Sequence, residues 1–428
     1  MIRRFLFLAA LALIAGGASP QAPAEKPPFS TKLAIFLAKG PPNSCGPGCD
    51  RWIAVEGKLD GGAAARVRRF LAGVKDTQRP IYFHSPGGSV EQSFEIGRLL
   101  RSRKAIARVG QTIVGACAAG TQIDNACLQI KNGVGEIEAE LSTRGAMCVS
   151  ACGYLFLGAT TREVAPDAAI AVHSSRFTMT IHGEPPPQVV AAERERRVAL
   201  ADKQRAAFVS AMGIKGELID LIKTVKFENL HVLTRVELYR FGIDTRTQPE
   251  TLWTLEKGTR PYARKLALAR RDDGTSFQIM EWQLFCENKD RGRLMFGREF
   301  DEGTAGETTV VMMAGADKSV AFGRYPARRG KFDVWNAAVA PDVVTAMLAT
   351  PRLLMGASTT PPGGKANLAT YEVDTTGLEQ AWTEILAKCP AAPATAKSVS
   401  TPVWTGPTAA QSPAVAPAAP AADAPPPQ

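Results

Sequence analysis

Ser150 and His173 are the two side chains whose types and positions suit nucleophilic chemistry. Ser150 lies in the segment CVSAC at the predicted start of a helix, and His173 ends a predicted strand 23 residues later. A neutral imidazole can take the proton of a serine hydroxyl near pH 7, which makes the oxygen a nucleophile. Taken alone, a serine among small residues is more often a helix-start residue, and a single histidine is more often a hydrogen-bonded core residue.

Two glycines precede this pair in the chain and suggest a way to stabilise a developing oxyanion. The segment IYFHSPGGSV runs from a short apolar strand through Gly87 and Gly88 into a helical pattern. Glycine allows close approach of the backbone, so N–H groups can point at a ligand. The N–H groups of Gly87, Gly88 and Ala151 are therefore candidate oxyanion donors. A tight strand-to-helix connection is the other interpretation of this turn.

The elements around these residues alternate between strand and helix. Strands are predicted at 52–55 and 81–83, and helices are predicted at 62–74 and from Ser89, with Gln92 as its capping-box partner. Such alternation indicates a largely parallel α/β sheet. Further along, the sequence predicts a buried helix within 145–159, with its first turn near 148–151. Two short strands follow within 162–175, then a long helix at 188–212, and a second capping box joins Thr234 and Glu237.

These segments, in this order, resemble the Clp protease proteolytic subunit and its exported relatives in the ClpP/crotonase superfamily. The resemblance covers about residues 51–246, and its specific parts are SPGGSV and APDAAIAVHSS. It implies an α/β fold, a ClpP/crotonase-like spiral of parallel strands and helices, with residues 111–143 as an insertion. We expect a smaller β-rich α+β domain to follow.

The resemblance also implies roles for individual residues. Ser150 becomes the nucleophile, His173 the general base, and Gly87, Gly88 and Ala151 the oxyanion donors. The acidic third member of the family's triad has no matching Asp here, and Glu228 is the nearest carboxylate. A Ser–His dyad and a degenerate site are the alternatives. A peptide or protein is the implied substrate, and helix 188–212 the implied contact between subunits of a homo-oligomer.

After about residue 250 the sequence changes from alternating strands and helices to mostly strand-like segments separated by turns. Strand-like segments at 275–286, 308–314 and 319–325 precede a helix at 376–389 whose apolar face includes Leu378, Trp382, Leu386 and Cys389. Because Cys286 ends a strand in the same region, we pair it with Cys389. The predicted organisation is a signal peptide at 1–24, a Pro- and Gly-rich segment at 25–50, and a ClpP/crotonase-like domain at 51–250. A β-rich domain at 251–390 and a disordered Ala- and Pro-rich tail at 391–428 complete it.

The chain contains eight cysteines, an even number that favours disulfides in an exported protein. The segment CGPGC predicts a small loop closed by Cys45 and Cys49. A bridge between Cys148 and Cys152 across one helical turn would be strained, so we expect each to bond elsewhere, with Cys117 and Cys127 as partners. That arrangement would pin the insertion over the site. Structural zinc is the rival interpretation, but none of the four histidines has ligand spacing to a cysteine pair. We predict no metal and no cofactor.

The N-terminus predicts export. Two arginines precede an apolar run from Phe5 to Ala15, and small residues follow with Ala22 and Ala24 in an A-x-A arrangement. This is the layout of a secretory signal peptide, and the run is short for a membrane span. We therefore expect a periplasmic or secreted protein without a stable span after cleavage; an uncleaved anchor is the alternative.

Charge gives little further information about partners. The net charge is +10, but the basic clusters are not interleaved with aromatic residues, so we expect no nucleic-acid partner.

Four classes of function fit parts of this pattern. The first is an exported serine-type peptidase, and the second is a catalytically degenerate binding or assembly protein with the same fold. A crotonase-type acyl-CoA enzyme shares the oxyanion arrangement, but export argues against it because coenzyme A is cytosolic. A Ser–Lys membrane peptidase is disfavoured by the histidine at the strand end.

Overall fold

We describe a computed structural model of the chain. The structure describes residues 32–118, 122–133, 135–177, 179, 183–300, 307–323, 325–360, 365 and 367–391. The predicted signal peptide, His182 and residues 392–428 of the predicted tail lie outside these ranges. Within them, no helix combines the length and apolar character needed to cross a membrane.

The N-terminal part of the chain is a mixed α/β structure. Its elements in chain order are β1 Ala34–Lys39, β2 Arg51–Glu56, α1 Ala63–Gly73, β3 Ile81–His84, α2 Val90–Ser102, β4 Ile106–Val109, β5 Gln111–Ile113, α3 Asn125–Lys131, β6 Glu136–Glu138, β7 Glu140–Ser142, β8 Met147–Val149, α4 Ala151–Leu157, β9 Thr161–Glu163, β10 Ala169–Val172, α5 Pro187–Ala211, α6 Glu217–Thr224, β11 His231–Val232 and α7 Arg235–Arg240.

Two sheets organise this part. The larger has the strand order β6-β1-β2-β3-β4-β9, in which β2, β3, β4 and β9 run parallel. The smaller has the order β11-β10-β8, with β8 and β10 parallel. A single bridge between Ser85 and Cys148 joins the end of β3 to β8. Because the carboxyl ends of β3 and β8 meet there, the turns that follow them come together.

The described residues of the Pro- and Gly-rich segment 25–50, from residue 32 on, include a strand. Strand β1 lies inside it and pairs antiparallel with the whole of β2, from Ala34 opposite Glu56 to Lys39 opposite Arg51. Alternate residues of β1, including Phe36 and Ala38, are buried. A short continuous apolar run, residues 34–38, therefore forms a strand beside the prolines and glycines.

The capping residues agree with the sequence in one case and in part in another. Thr234 and Glu237 form the full reciprocal capping box of α7. Ser89 caps α2 through the N–H of Gln92, but the Gln92 side chain accepts from the N–H of Ala64 at 2.9 Å. The Gln92 amide therefore joins α2 to α1 and does not complete a capping box.

Helix α5 is 25 residues long and mostly exposed. Its buried residues are Phe208 and Val209, close to its C-terminal end. The Phe208 ring stacks on Phe94 of α2 with centroids 4.5 Å apart, and its edge meets Tyr154 of α4 at 6.4 Å. The helix is thus attached near one end, through an aromatic cluster that also contacts α4.

The C-terminal part of the chain is built from antiparallel sheets. Its elements are β12 Thr254–Glu256, β13 Tyr262–Arg270, β14 Phe277–Asn288, β15 Arg291–Glu299, β16 Glu307–Ala314, β17 Lys318–Ala321, β18 Ala327–Arg329, β19 Phe332–Val339, α8 Pro341–Ala349, β20 Arg352–Thr360, β21 Asn367–Asp374 and α9 Leu378–Ala387. One sheet has the order β12-β13-β14-β15-β19-β18, and the other has the order β17-β16-β20-β21.

The apolar interior of the C-terminal part centres on stacked aromatic rings. Phe296 lies between Trp282 and Trp335, with centroid distances of 5.3 and 5.5 Å. Helix α9 packs on this core, but Leu386 of its predicted buried face is 39% exposed. Cys389 is buried and bonded to Cys286, the pair that the sequence predicts.

Candidate active site

Ser150 occupies a sharp turn between a strand and a helix. Strand β8 ends at Val149, helix α4 begins at Ala151, and Ser150 between them has φ 56° and ψ −122°. Non-glycine residues rarely adopt positive φ, and such strained residues cluster at functional sites. A serine on a strained strand-to-helix turn presents its hydroxyl away from the sheet. We refer to residues 148–152 as the elbow.

The elbow corrects the predicted start of the buried helix. The small residues of 145–159 favour one helix beginning near Cys148, but Cys148 lies in β8, where its register partner is Ile170 of β10. The N–H of Ser150 donates to the carbonyl of Ala171 at 2.8 Å, so the strand pairing continues up to the serine. Composition alone does not reveal that a strand ends and a helix begins at Ser150, since small buried residues suit either element.

The glycine turn, residues 85–88, lies directly against the elbow. The Ser85 N–H donates to the Met147 carbonyl, and the Val149 N–H donates to the Ser85 carbonyl, both at 2.9 Å. Gly87 has φ 92°, and a Cβ placed on it would lie 2.6 Å from the Val149 carbonyl oxygen, 2.8 Å from Ser150 Cβ and 2.9 Å from the Ala151 nitrogen. Only glycine fits at this contact.

The three candidate oxyanion donors differ in availability. The N–H of Gly87 donates to Ser85 Oγ at 3.1 Å, so it is already used within the turn. The N–H groups of Gly88 and Ala151 have no acceptor within the described ranges. The geometry therefore brings Gly87 into contact with the elbow but leaves Gly88 and Ala151 as the free donors.

His173 follows directly after β10. The parallel register places Ala171 opposite Val149, so Ser150 is level with Val172 and His173 lies one residue further along. Because neighbouring strands are about 4.8 Å apart, the two residues are close in space. The His173 ring packs edge-on against Phe227 at 4.9 Å. Burial lowers the pKa of His173, while the backbone of Ser174 and the charge of Glu228 act in the opposite direction.

The side chains of Ser150 and His173 are not joined in this structure. The part of the chain that is described holds no hydrogen bond between the Ser150 hydroxyl and the imidazole, and His173 Nδ1 is buried without a partner there. Glu228 does not fill that role. Its side chain is 67% exposed and lies 3.5 Å from Arg176. The described residues therefore provide no acceptor that would orient the imidazole through Nδ1. This arrangement matches a Ser–His dyad and not a triad.

A small cavity lies beside Ser150. Its other walls are mostly apolar and come from α4, β10 and α6, for example Tyr154, Val172 and Ile222. None of the lining residues belongs to the 111–143 insertion.

The disulfides within the N-terminal part differ from the predicted pairing. Cys148 is bonded to Cys152 and Cys117 to Cys127, while Cys45 and Cys49 close the predicted loop. The expectation that Cys148 and Cys152 bond elsewhere is wrong, because it assumed a helical turn between them. The elbow brings their Cα atoms to 5.2 Å, within the range that disulfides span. The insertion is therefore closed on itself and is not tied to the site by a disulfide.

A buried polar network near the glycine turn escaped the sequence analysis. Lys131 of α3 and Glu56 of β2 are both fully buried and form an ion pair at 2.8 Å. Lys131 Nζ also donates to the carbonyls of Thr112 and Gln122, at 2.6 and 2.7 Å. Only tertiary contacts reveal such a pair, since Lys131 lies in a segment without apolar period.

His84 belongs to the same neighbourhood. It is the register partner of Glu56, and its Nδ1 accepts the N–H of Met147 at 3.1 Å. Burial, with a smaller effect from Lys131, lowers its pKa to about 4. His84 is therefore neutral near pH 7, and its hydrogen bond to Met147 holds the first residue of β8.

Comparisons with known proteins give little further information. No family model matches the sequence, and no curated protein is significantly similar to it. Among solved structures, invasion associated protein B from Bartonella henselae aligns with 32% of this chain and 93% of its own, at 14% identity and a TM-score of 0.25. A mutant of the 1510-N membrane-bound stomatin-specific protease aligns with 44% of this chain and 73% of its own, at 14% identity and a TM-score of 0.27.

Proposed function

We propose that the protein is an exported serine hydrolase that cleaves peptide bonds through an acyl-enzyme on Ser150. The observation that carries this proposal is the strained elbow, in which a serine with positive φ lies against a turn whose Gly87 leaves no room for a side chain. Strain of this kind costs about 1–3 kcal/mol and persists where the surroundings enforce it. A serine that only begins a helix can adopt an ordinary negative φ, so a structural role does not explain this strain.

The reaction assigns one task to each group. Ser150 Oγ attacks the peptide carbonyl carbon while its proton passes to Nε2 of His173, and the imidazolium then protonates the leaving amine. Water, deprotonated by the same imidazole, hydrolyses the ester and restores the serine. The N–H groups of Gly88 and Ala151 stabilise the negative oxygen in both steps. The buried environment keeps the imidazole neutral, which is the form that accepts a proton.

Export supports the same proposal through the cysteines. All eight are paired in four disulfides in the structure. Disulfides persist in oxidising compartments and are rare in the cytosol. A periplasmic or secreted location fits this usage.

An active-site probe tests the proposal. We expect a fluorophosphonate to label the purified mature protein, and we expect Ser150→Ala to abolish labelling. Ser102→Ala is a matched control, because Ser102 is an exposed serine at the end of α2 whose hydroxyl donates only to the Leu99 carbonyl. Equal labelling of the parent and Ser150→Ala, or no labelling of either, contradicts the assignment.

A second function is favoured by one observation. The missing hydrogen bond between Ser150 and His173, together with the unpartnered Nδ1, suits a degenerate site in a binding or assembly protein. Loss of the orienting residue can cost a triad about four orders of magnitude in rate. The probe separates the two functions, since a binding protein has no activated serine.

A further inference from the structure

The Cys148–Cys152 disulfide spans the nucleophile of the proposed reaction. Cys148 lies two residues before Ser150 in β8, and Cys152 lies two residues after it in α4. The bridge therefore closes a ring of five residues with the strained serine at its centre. The bridge limits how far Cys148 and Cys152 can move apart, and their Cα atoms are 5.2 Å apart with Ser150 at positive φ.

One end of the bridge is fixed. The backbone of β8 pairs with Ile170 on one side and with Ser85 of the glycine turn on the other. The first turn of α4 pairs with none of the described strands; it is buried, and the Gly153 N–H donates to the Ser150 carbonyl at 3.0 Å. The disulfide thus connects the first turn of α4, which carries the Ala151 N–H, to a strand that is paired on both sides.

Both sulfurs belong to side chains with no exposed surface. A reductant in solution does not reach them in the folded protein, so the bridge is a permanent part of the site. We propose that the Cys148–Cys152 disulfide is a positioning element that holds Ser150 and the Ala151 N–H in the reactive arrangement. This inference rests on the proposed function for its effect on rate, but its effect on the backbone is independent of activity.

The Cys45–Cys49 disulfide is a matched control. It has the same sequence separation of 4 and a similar Cα distance of 5.1 Å, and it lies in the loop between β1 and β2. Its removal tests the general cost of losing a short bridge in this chain.

The experiment compares Cys148→Ala/Cys152→Ala with Cys45→Ala/Cys49→Ala in the mature full-length protein. We expect the rate constant of fluorophosphonate labelling at saturating probe to fall by about 10- to 100-fold in the first variant, because the strained conformation is no longer enforced. The probe concentration at half-saturation should stay within about twofold of the parent, since binding is not the affected step. The control should keep both constants.

Hydrogen exchange gives a readout that needs no activity. Exchange in the segment 147–157 should become faster in Cys148→Ala/Cys152→Ala, while the segment 51–56 keeps its protection. If the parent is not labelled at all, the proposed function fails, and exchange alone then decides whether the bridge holds the elbow.

Two results overturn the inference. One is unchanged labelling and unchanged exchange in the folded variant. The other is unfolding of both Cys148→Ala/Cys152→Ala and Cys148→Ser/Cys152→Ser under conditions where Cys45→Ala/Cys49→Ala stays folded, which would assign the bridge to the stability of the fold.

Discussion

The N-terminal and C-terminal parts of this chain bury similar kinds of side chain but use their backbones differently. The non-glycine residues with positive φ in the described ranges are Asn43, Lys104 and Ser150, and all belong to the N-terminal part. The antiparallel sheets beyond residue 250 reserve this conformation for glycines such as Gly274, Gly315, Gly330 and Gly377. Ser150 is the partly buried residue of these three and lies where parallel strands end together, which is where the chemistry is proposed.

Two buried lysines, one in each part of the chain, differ in how exposed their carboxylate partners are. Lys131 and Glu56 are both fully buried, whereas the buried Lys265 of the C-terminal part pairs with Glu250, whose side chain is 19% exposed. Water can therefore reach one partner in the C-terminal pair but neither in the N-terminal pair. The N-terminal network should be the more sensitive of the two.

The largest expected effect follows from this contrast. We expect Lys131→Met to lower the free energy of unfolding by about 4 kcal/mol, because it removes the buried partner of Glu56 and leaves that carboxyl group without its ion pair in the interior. Lys265→Met should cost clearly less, since Glu250 remains partly hydrated. Urea denaturation of both variants measures the difference.

A double variant sharpens the test. Lys131→Met/Glu56→Gln removes both charges and keeps an oxygen that can accept the Thr112 N–H, which Glu56 now accepts at 2.7 Å. It should recover part of the lost stability. The contrast fails if Lys265→Met is as costly as Lys131→Met.

The second prediction concerns the glycine turn. Gly87→Ala should destabilise the protein by about 3 kcal/mol and abolish labelling of Ser150, because a Cβ at φ 92° overlaps backbone atoms of the elbow. Gly356→Ala in β20 is the matched change, since the nearest atom to its Cβ would be a Leu368 methyl carbon at 3.9 Å. Thermal unfolding and probe labelling are the measurements. A tolerated Gly87→Ala would refute the close contact.

The third prediction uses the distribution of histidines, all four of which precede residue 250. His84 has a pKa of about 4 when folded and 6.5 ordinarily, so the unfolded chain binds a proton that the folded chain does not. Its contribution to stability is present above pH 6.5 and is lost as the pH falls. By about pH 5 the loss should reach about 2 kcal/mol.

His84→Asn tests this assignment because the asparagine oxygen can replace Nδ1 as acceptor for the Met147 N–H without titrating. Denaturant unfolding between pH 7 and about pH 5 should show a flatter pH dependence in the variant. An identical slope in parent and variant would assign the acid sensitivity to other groups.

The smallest expected effect is a shift in a pH profile. In the proposed mechanism His173 is the base, so labelling of Ser150 should rise with pH, and its midpoint should lie below the ordinary pKa of 6.5 because burial lowers the pKa of His173. Glu228→Gln removes a charge that raises this pKa, so the midpoint should move further down. A midpoint above 6.5, or an upward shift in Glu228→Gln, contradicts this arrangement.

Local signals in the sequence predicted local structure well. The alternation of strands and helices and the caps at Ser89 and Thr234 follow from residue patterns within short segments, and the pairing of Cys286 with Cys389 follows from two such patterns, a strand end and a helix face. These features depend on periodicity, side-chain hydrogen bonds to the backbone, or the direction of a helix face, and each can be recognised in a short window.

The remaining features depend on contacts between distant segments. Cys148 and Cys152 have the spacing of a helical turn, and only the parallel pairing of β8 with β10 shows that a strand ends between them. Lys131 lies in a segment without period, so its burial against Glu56 has no signature in the sequence. The order of elements suggested that Ser150, Gly87 and His173 are neighbours, but the orientation of the imidazole is decided by Phe227 and by packing.

Helix α5 has a mechanical consequence. A helix of 25 residues is about 37 Å long, and the residues of its first four turns are mostly exposed. The helix is attached near its C-terminal end, where Phe208 stacks on Phe94 and contacts Tyr154. A force on the exposed part of the helix would therefore act on this contact. Since Tyr154 lies one turn beyond Ser150, a force on the exposed turns of α5 would reach the elbow through the rings of Phe208, Phe94 and Tyr154.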